Sequence, residues 1–312
     1  MNPTPIALFT YNRAAHTARV LDSLLNCSRL DECQLHIYSD GPKDDSRIPE
    51  VEECRRVIRE RANQFQATIV ERAENIGLAK SVVSGVTDLC ERYGRVIVIE
   101  DDLVVSPNFI DFMLQSLDRY AGTPNVYQIS GYMFPVVHKT ATDSFFLPLT
   151  TTWGWATWKD AWKIFDWDAA DARERLRDPR LKKRFDLGNS YPYAQMLEDR
   201  LNGLNNSWGI LFWWAVFKAN GLALHPRQSL VWNGGFDGTG THCGFDSWSH
   251  DQAMQIKDWT DGSVQRFPTE VAIDHDAFDR ICKFLKREQY SSSPTARILR
   301  RLRQYAQQYR PA

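Results

Sequence analysis

With 312 residues and a net charge of −1, the chain carries no global charge that would draw it to nucleic acid, and no nucleic-acid partner is expected. Hydrophobic residues make up 43%, enough for a sizeable core, and the length suits about two domains or one large α/β unit. The longest apolar run, residues 210–217, is far too short to span a bilayer. Six cysteines show neither C-x-x-C nor zinc-ligand spacing. Residues 1–5 lack the regions of a signal peptide, so the expectation is a cytoplasmic protein with free thiols.

In chain order, residues 6–10 read as a buried strand and 14–26 as a helix with Val20, Leu21, Leu24 and Leu25 on one side. Residues 35–38 form a second strand, closed by Ser39-Asp40-Gly41-Pro42, a turn signal. A helix over 49–65, a strand over 67–70, a break at Asn75-Ile-Gly77 and a helix over 78–92 follow. The next strand, 96–99, is four apolar β-formers, as in a strand covered on both faces. Helix 107–120 and strand 125–129 continue the alternation, which implies a parallel sheet with right-handed crossovers. From about residue 130 Trp, Gly and Thr become dense, as in Thr151-Thr-Trp-Gly-Trp-Ala-Thr-Trp158. Residues 170–187 read as charged helix, 207–217 as a buried helix, and 231–244 as a glycine-rich loop.

Four features fall at successive strand ends: Thr10-Tyr11-Asn-Arg13, Ser39-Asp40, Glu74-Asn75-Ile-Gly77 and Glu100-Asp101-Asp102. In an open α/β sheet the ligand lies beyond those ends. The three consecutive acids repel one another unless something positive sits among them, and a divalent cation, Mn2+ or Mg2+, meets that need. Strand alternation would point Glu100 and Asp102 one way and Asp101 the other. A solvated acidic turn before the N-cap pair Ser106-Pro107 is the competing reading. Arg13 suits a phosphate or a base carbonyl, Asp40 a base N–H or a ribose hydroxyl, and Gly77 with Lys80 a phosphate at a helix start.

Phe9-Thr-Tyr-Asn-Arg13, Tyr38-Ser-Asp40, Asn75-Ile-Gly-Leu-Ala79, Val98-Ile-Glu-Asp-Asp102-Leu and Trp153-Gly-Trp-Ala-Thr-Trp158, in that order, resemble nucleotide-sugar-dependent glycosyltransferases of the GT-A fold. Both bacterial surface-polysaccharide transferases and N-acetylglucosaminyltransferase I-like enzymes are similar. The resemblance spans roughly residues 4–245 and implies an α/β, Rossmann-like, mostly parallel sheet flanked by helices. Residues 1–130 would be the nucleotide-sugar half, 131–280 the acceptor and catalytic half, and 281–312 a basic amphipathic tail. It implies a UDP-sugar donor gripped by Arg13 and Asp40, contacts from Glu100 and Asp101 to ribose and sugar, and a metal on Asp102. Thr10, Tyr11, Asn75, Gly77 and Lys80 complete the donor set; His242, in the glycine-rich loop, is a further metal or diphosphate ligand or an ordinary loop histidine. Trp153, Trp155 and Trp208 fall in the acceptor-side block.

An inverting transferase needs a carboxylate base, and beside Trp208 stand only Asn205, Asn206, Ser207 and Gly209. Glu198 and Asp199, a short way upstream, are the leading candidates, with a solvated helix face as their alternative, and Asp237 and Asp246 flank the glycine-rich loop. The expected acceptor is a glycan or lipid-linked glycan in surface polysaccharide synthesis. A sugar nucleotidyltransferase would carry glycines after the first strand, which Thr10-Tyr-Asn-Arg13 lacks; a non-catalytic glycan binder would explain the Trp content. The tail has eight Lys/Arg against one acid, Glu288. Residues 295–309 would form a helix able to lie on an anionic membrane surface, or a frayed soluble one.

Overall fold

The computed structural model describes residues 3–65, 67–137, 139–237 and 264–292. An eight-stranded sheet has the order β3-β2-β1-β4-β8-β6-β9-β7. Its strands are β1 (Thr4–Thr10), β2 (Cys33–Ser39), β3 (Thr68–Glu71), β4 (Arg95–Glu100), β6 (Val126–Ser130), β7 (Ser144–Leu147), β8 (Trp155–Trp158) and β9 (Leu222–Pro226). A second, two-stranded ribbon pairs β5 (Leu103–Val105) with β10 (Val231–Asn233). The helices are α1 (Ala14–Leu25), α2 (Ile48–Ala62), α3 (Leu78–Tyr93), α4 (Phe109–Arg119), α5 (Lys159–Trp162), α6 (Ala172–Arg175), α7 (Pro179–Phe185), α8 (Tyr193–Leu201), α9 (Trp208–Lys218) and α10 (His275–Ser292).

β1 through β4 pair in parallel, as the strand–helix alternation predicts. β8 then enters antiparallel between β4 and β6, and β7 lies antiparallel on β9, so these two strands run against the other six. The sheet is therefore mostly parallel. Every residue of β1 is buried, because helices cover both sheet faces. Phe9 stacks on Tyr38 at 5.1 Å, and α3 closes on both rings through Gly85.

The second half supplies an aromatic core. Trp155 of β8 packs against Trp162, Trp208 and Phe212 with ring centroids 5.3–5.8 Å apart. α9 is apolar around nearly its whole circumference, the mark of a core helix, and Ser207 starts it by accepting the Ile210 N–H at 3.3 Å. α10 docks through Ala277, Ile281 and Leu285, with Phe284 against Phe134. The expected boundary at residue 281 thus falls inside a packed helix. Residues 293–312 and the membrane expectation for them lie outside the described residues. No helix among the described residues is long and apolar enough to cross a membrane.

The pairings bring one set of chain segments to one sheet edge. Thr10 pairs with Ser39, Ser39 with Glu71, Phe9 with Glu100, and Val98 with Trp155. The ends of β1 to β4 and the approach to β8 therefore line up, and all four sequence motifs meet there.

Candidate active site

The acids stand where β4 stops. Beyond Glu100 the backbone turns before β5 begins, so strand alternation no longer governs Asp101 and Asp102. Both carboxylates converge on Arg13, which corrects the expectation that they point apart. Arg13 Nη2 donates to Asp101 Oδ1 and, at 3.0 Å, to Asp102 Oδ2; its Nε reaches Asp101 Oδ2 at 3.5 Å. The positive group that three adjacent acids require is a guanidinium sent from the end of β1. Burial acts against the Arg13 charge, but Asp101 and Asp102 overcome it and hold its pKa above the usual arginine value. Burial raises Asp101, with Arg13 opposing. The Glu100 carboxylate has no described hydrogen-bond partner. Burial first, then the charges of Asp102 and Asp101, push its carboxyl up to about 8.

The far flank of Asp102 belongs to the second half of the chain. The β5–β10 pairing sets Asn233 opposite Leu103, and the Gly234 N–H donates to the Asp102 carbonyl at 2.8 Å. Gly235 follows, its N–H on Asn233 Oδ1 at 2.7 Å. A Cβ at Gly235 would lie 2.5 Å from Asp102 Oδ2, so any side chain there would push the carboxylate out of its place. His16, on α1, approaches the Gly234 carbonyl at 3.4 Å. The sequence reading missed Asn233 and Gly235; the signal was an Asn-Gly-Gly run directly after a short β-former stretch.

Asp40 is used for construction. Its Oδ1 accepts from the N–H groups of Gly41 and Ile76 at 3.1 and 3.0 Å, and its Oδ2 from Gly77 at 2.9 Å. Asn75 answers by donating to the Gly41 carbonyl at 2.8 Å. Gly41 sits so close to the 73–74 backbone that a Cβ there would be 2.4 Å from the Glu74 carbonyl carbon. Arg55 of α2 ties the same corner through Ser39 Oγ and the carbonyls of Asp40 and Arg72. This clasp fixes the entry to α3, whose first turn has neither a side-chain cap nor an acid. Its free N–H groups and positive dipole end suit an anion. Lys80, in that turn, is exposed and has no described partner; it borders a cleft of about 600 Å³ beside Asp88 and Trp167 that none of Glu100, Asp101 and Asp102 lines. Tyr11 accepts the Lys43 N–H on its hydroxyl at 3.2 Å, and Thr10 is buried.

The acceptor and base candidates fare differently. Trp155 is 0% exposed and Trp208 4%, both walled in by aromatic rings, so neither offers a face to a sugar. Trp153 alone of the three keeps surface, set edge-on to Tyr132 at 4.6 Å in the approach to β8. Glu198 and Asp199 lie on α8. Arg173 and Asn202 hold Glu198, and Gln195 holds Asp199. Glu198 borders a separate cleft of about 390 Å³ with Arg173, Arg177 and Lys182, and no described contact joins either acid to the strand ends. His242 and Asp246 lie outside the described residues.

No group of three metal-ligating side chains exists among the described residues, so there is no preformed cage. The donor set still fits a hard divalent cation in the one-carboxylate manner. Asp102 Oδ1 has no described hydrogen-bond partner, its side chain is 12% exposed, and phosphate oxygens and water would complete the shell.

No family model and no curated protein matches the chain. Among solved structures it is similar to residues 1–349 of S. aureus TarS, at 11% identity and a TM-score of 0.44 over 75% of this chain. It is also similar to the mannosyltransferase PcManGT from Pyrobaculum calidifontis in complex with GDP-Man and Mn2+, at 14% identity and 0.40, over 70% of this chain and 75% of that one. A third likeness is to mouse xyloside xylosyltransferase 1, at 14% identity and 0.35, over 69% of this chain and 81% of that one. The chain spans 21% and 60% of the two TarS structures it matches.

Proposed function

We propose that the chain is a divalent-cation-dependent, inverting glycosyltransferase that moves a sugar from a UDP-sugar to a glycan or lipid-linked glycan acceptor. The observation that carries this reading is the single edge where Arg13, the Asp40 clasp, the open first turn of α3 and Glu100–Asp102 assemble. In an open α/β sheet that edge is the ligand position. The pieces match a nucleotide diphosphate: carboxylates for hydroxyls and a cation, free helix N–H groups and Lys80 for phosphate.

In this reading Asp102 presents Oδ1 to Mn2+ or Mg2+. Bound there, the ion would neutralise charge on the diphosphate leaving group. Glu100, at the end of β4 beside Asp101 and Asp102, hydrogen-bonds a ribose or sugar hydroxyl. Asp101, fixed by Arg13, accepts from a neighbouring hydroxyl. The clasp holds the turn before α3 rigid, so that its N–H groups need no reordering when phosphate arrives. Trp153 borders the acceptor side.

The test is calorimetric titration of UDP, GDP and CMP into the protein, each with and without Mn2+. UDP binding that needs the metal is the expected result, followed by sugar transfer in a donor screen. A folded sample that binds none of the three defeats the reading. Metal-dependent binding of GDP in place of UDP would keep the transferase and replace the donor.

A further inference from the structure

Arg13 and the metal seat contend for the same carboxylate. Asp102 Oδ2 has the Arg13 guanidinium 3.0 Å away and lies so near Gly235 that a Cβ there would be 2.5 Å from it. A cation that gripped both oxygens of Asp102 would have to displace the guanidinium from Oδ2. Taking Oδ1 alone would set a double positive charge beside a guanidinium on one carboxylate, a like-charge contact in a half-buried setting where water screens poorly. The Arg13 backbone is pinned, its carbonyl accepting the Thr17 N–H at 2.9 Å as α1 begins. Its head group is only 21% exposed and grips Asp101 through two nitrogens. Asp101 is the firm anchor of the guanidinium, and Asp102 is the carboxylate it shares.

We propose that Arg13 is a resident counter-ion that guards the Asp102 seat, so that the chain takes up a divalent cation only with a diphosphate-bearing ligand that offers the guanidinium another anion. This rests on the nucleotide-sugar reading above and adds an order to it: the empty protein holds free metal weakly, and ligand and metal enter together. The Asp101 contact stays throughout, which keeps Arg13 within reach of the incoming phosphate. Lone metal is thereby kept off a site that would otherwise present three adjacent acids to it.

The experiment measures Mn2+ affinity from the free-ion electron paramagnetic resonance signal, with and without UDP, for the wild type, R13Q and R13K. Thermal melts establish that each variant is folded. The expected result is Mn2+ binding without nucleotide at least tenfold tighter in R13Q than in the wild type. R13K keeps the charge but cannot fork between two carboxylates, and a gain of about threefold is expected. The double variant R13Q/D102N should lose the gain, which locates it at Asp102. UDP should tighten Mn2+ binding at least tenfold in the wild type and less in R13Q. If R13Q does not fold, R13K decides alone. Mn2+ binding without nucleotide that is no tighter in either folded variant overturns the proposal. A gain in R13Q with no effect of UDP on the wild type leaves Arg13 as guard of the seat and defeats the nucleotide reading instead.

Discussion

The two halves of the molecule use their conspicuous residues in opposite ways. In the first half, the polar residues at the strand ends are crowded against their preferences: Asp101 and Asp102 share one guanidinium, and beside them the Glu100 carboxyl is pushed up to about 8. In the second half, the tryptophans that look like a sugar-binding surface are mostly filling. Trp155, Trp162, Trp208 and Phe212 pack as an aromatic core, and the indole nitrogen of Trp155 is buried without a partner. The lesson lies in what each residue type tolerates. A tryptophan in a core gains from burial even with its N–H unmet, whereas adjacent carboxylates gain nothing from one another and so mark a place where something else is needed.

The sharpest way to break this contrast is Trp155→Ala. If the ring is core, the variant loses about 3–5 kcal/mol of stability in urea titration, and any folded fraction binds nucleotide as the wild type does. A stable variant with a weakened acceptor interaction would return Trp155 to the surface. Asp40→Ala comes next. It strands three backbone N–H groups of the clasp, with an expected cost of about 3 kcal/mol and faster hydrogen exchange at Ile76 and Gly77. Unchanged exchange there would mean that the clasp does not hold the turn.

Glu100 gives a pH signature. As an acid whose folded pKa is raised, it binds more protons in the native state between about 4.5 and about 8, so it lowers stability progressively as pH rises through that window. Glu100→Gln should be more stable than the wild type by about 2 kcal/mol at pH 6, by more as pH rises toward 8, and should converge on it below pH 4.5. A difference that does not vary with pH would place the strain elsewhere. The smallest effect is expected on α8. Glu198→Gln breaks an ion pair whose acid is 42% exposed, so stability should move by less than about 0.5 kcal/mol and sugar transfer by less than twofold. A thousandfold loss of transfer would make Glu198 the base after all.

The sheet edge was readable in advance for a physical reason. β1, β2, β3 and β4 are each a run of β-formers ended by turn chemistry, and parallel pairing follows from the helices between them. β8 was not readable, because Trp155 to Trp158 is four residues long and two of them are indoles, which fit a strand or a binding block equally well. β5 and β10 are three residues each and take their structure from one another rather than from local preference. The acids announced the site, but their partner did not announce itself. Arg13 lies 88 positions from Asp101, and only the β1–β4 pairing makes them neighbours. Glu198 and Asp199 were placed by spacing from a tryptophan, which says nothing about which way a helix faces; on α8 their described partners are Arg173, Asn202 and Gln195.

The β5–β10 ribbon has a consequence for how the chain is born. Asn233 pairs with Leu103, 130 positions earlier (233 minus 103). A growing polypeptide that has released the first sheet strands still lacks Gly235 beside Asp102, so the acid corner cannot close until most of the chain has left the ribosome. Contacts of such long range form late and slowly. Competence to hold a ligand at Asp102 is therefore among the last properties the nascent protein acquires, and a truncated product ending before residue 231 would carry every acid of the site without the wall that completes it.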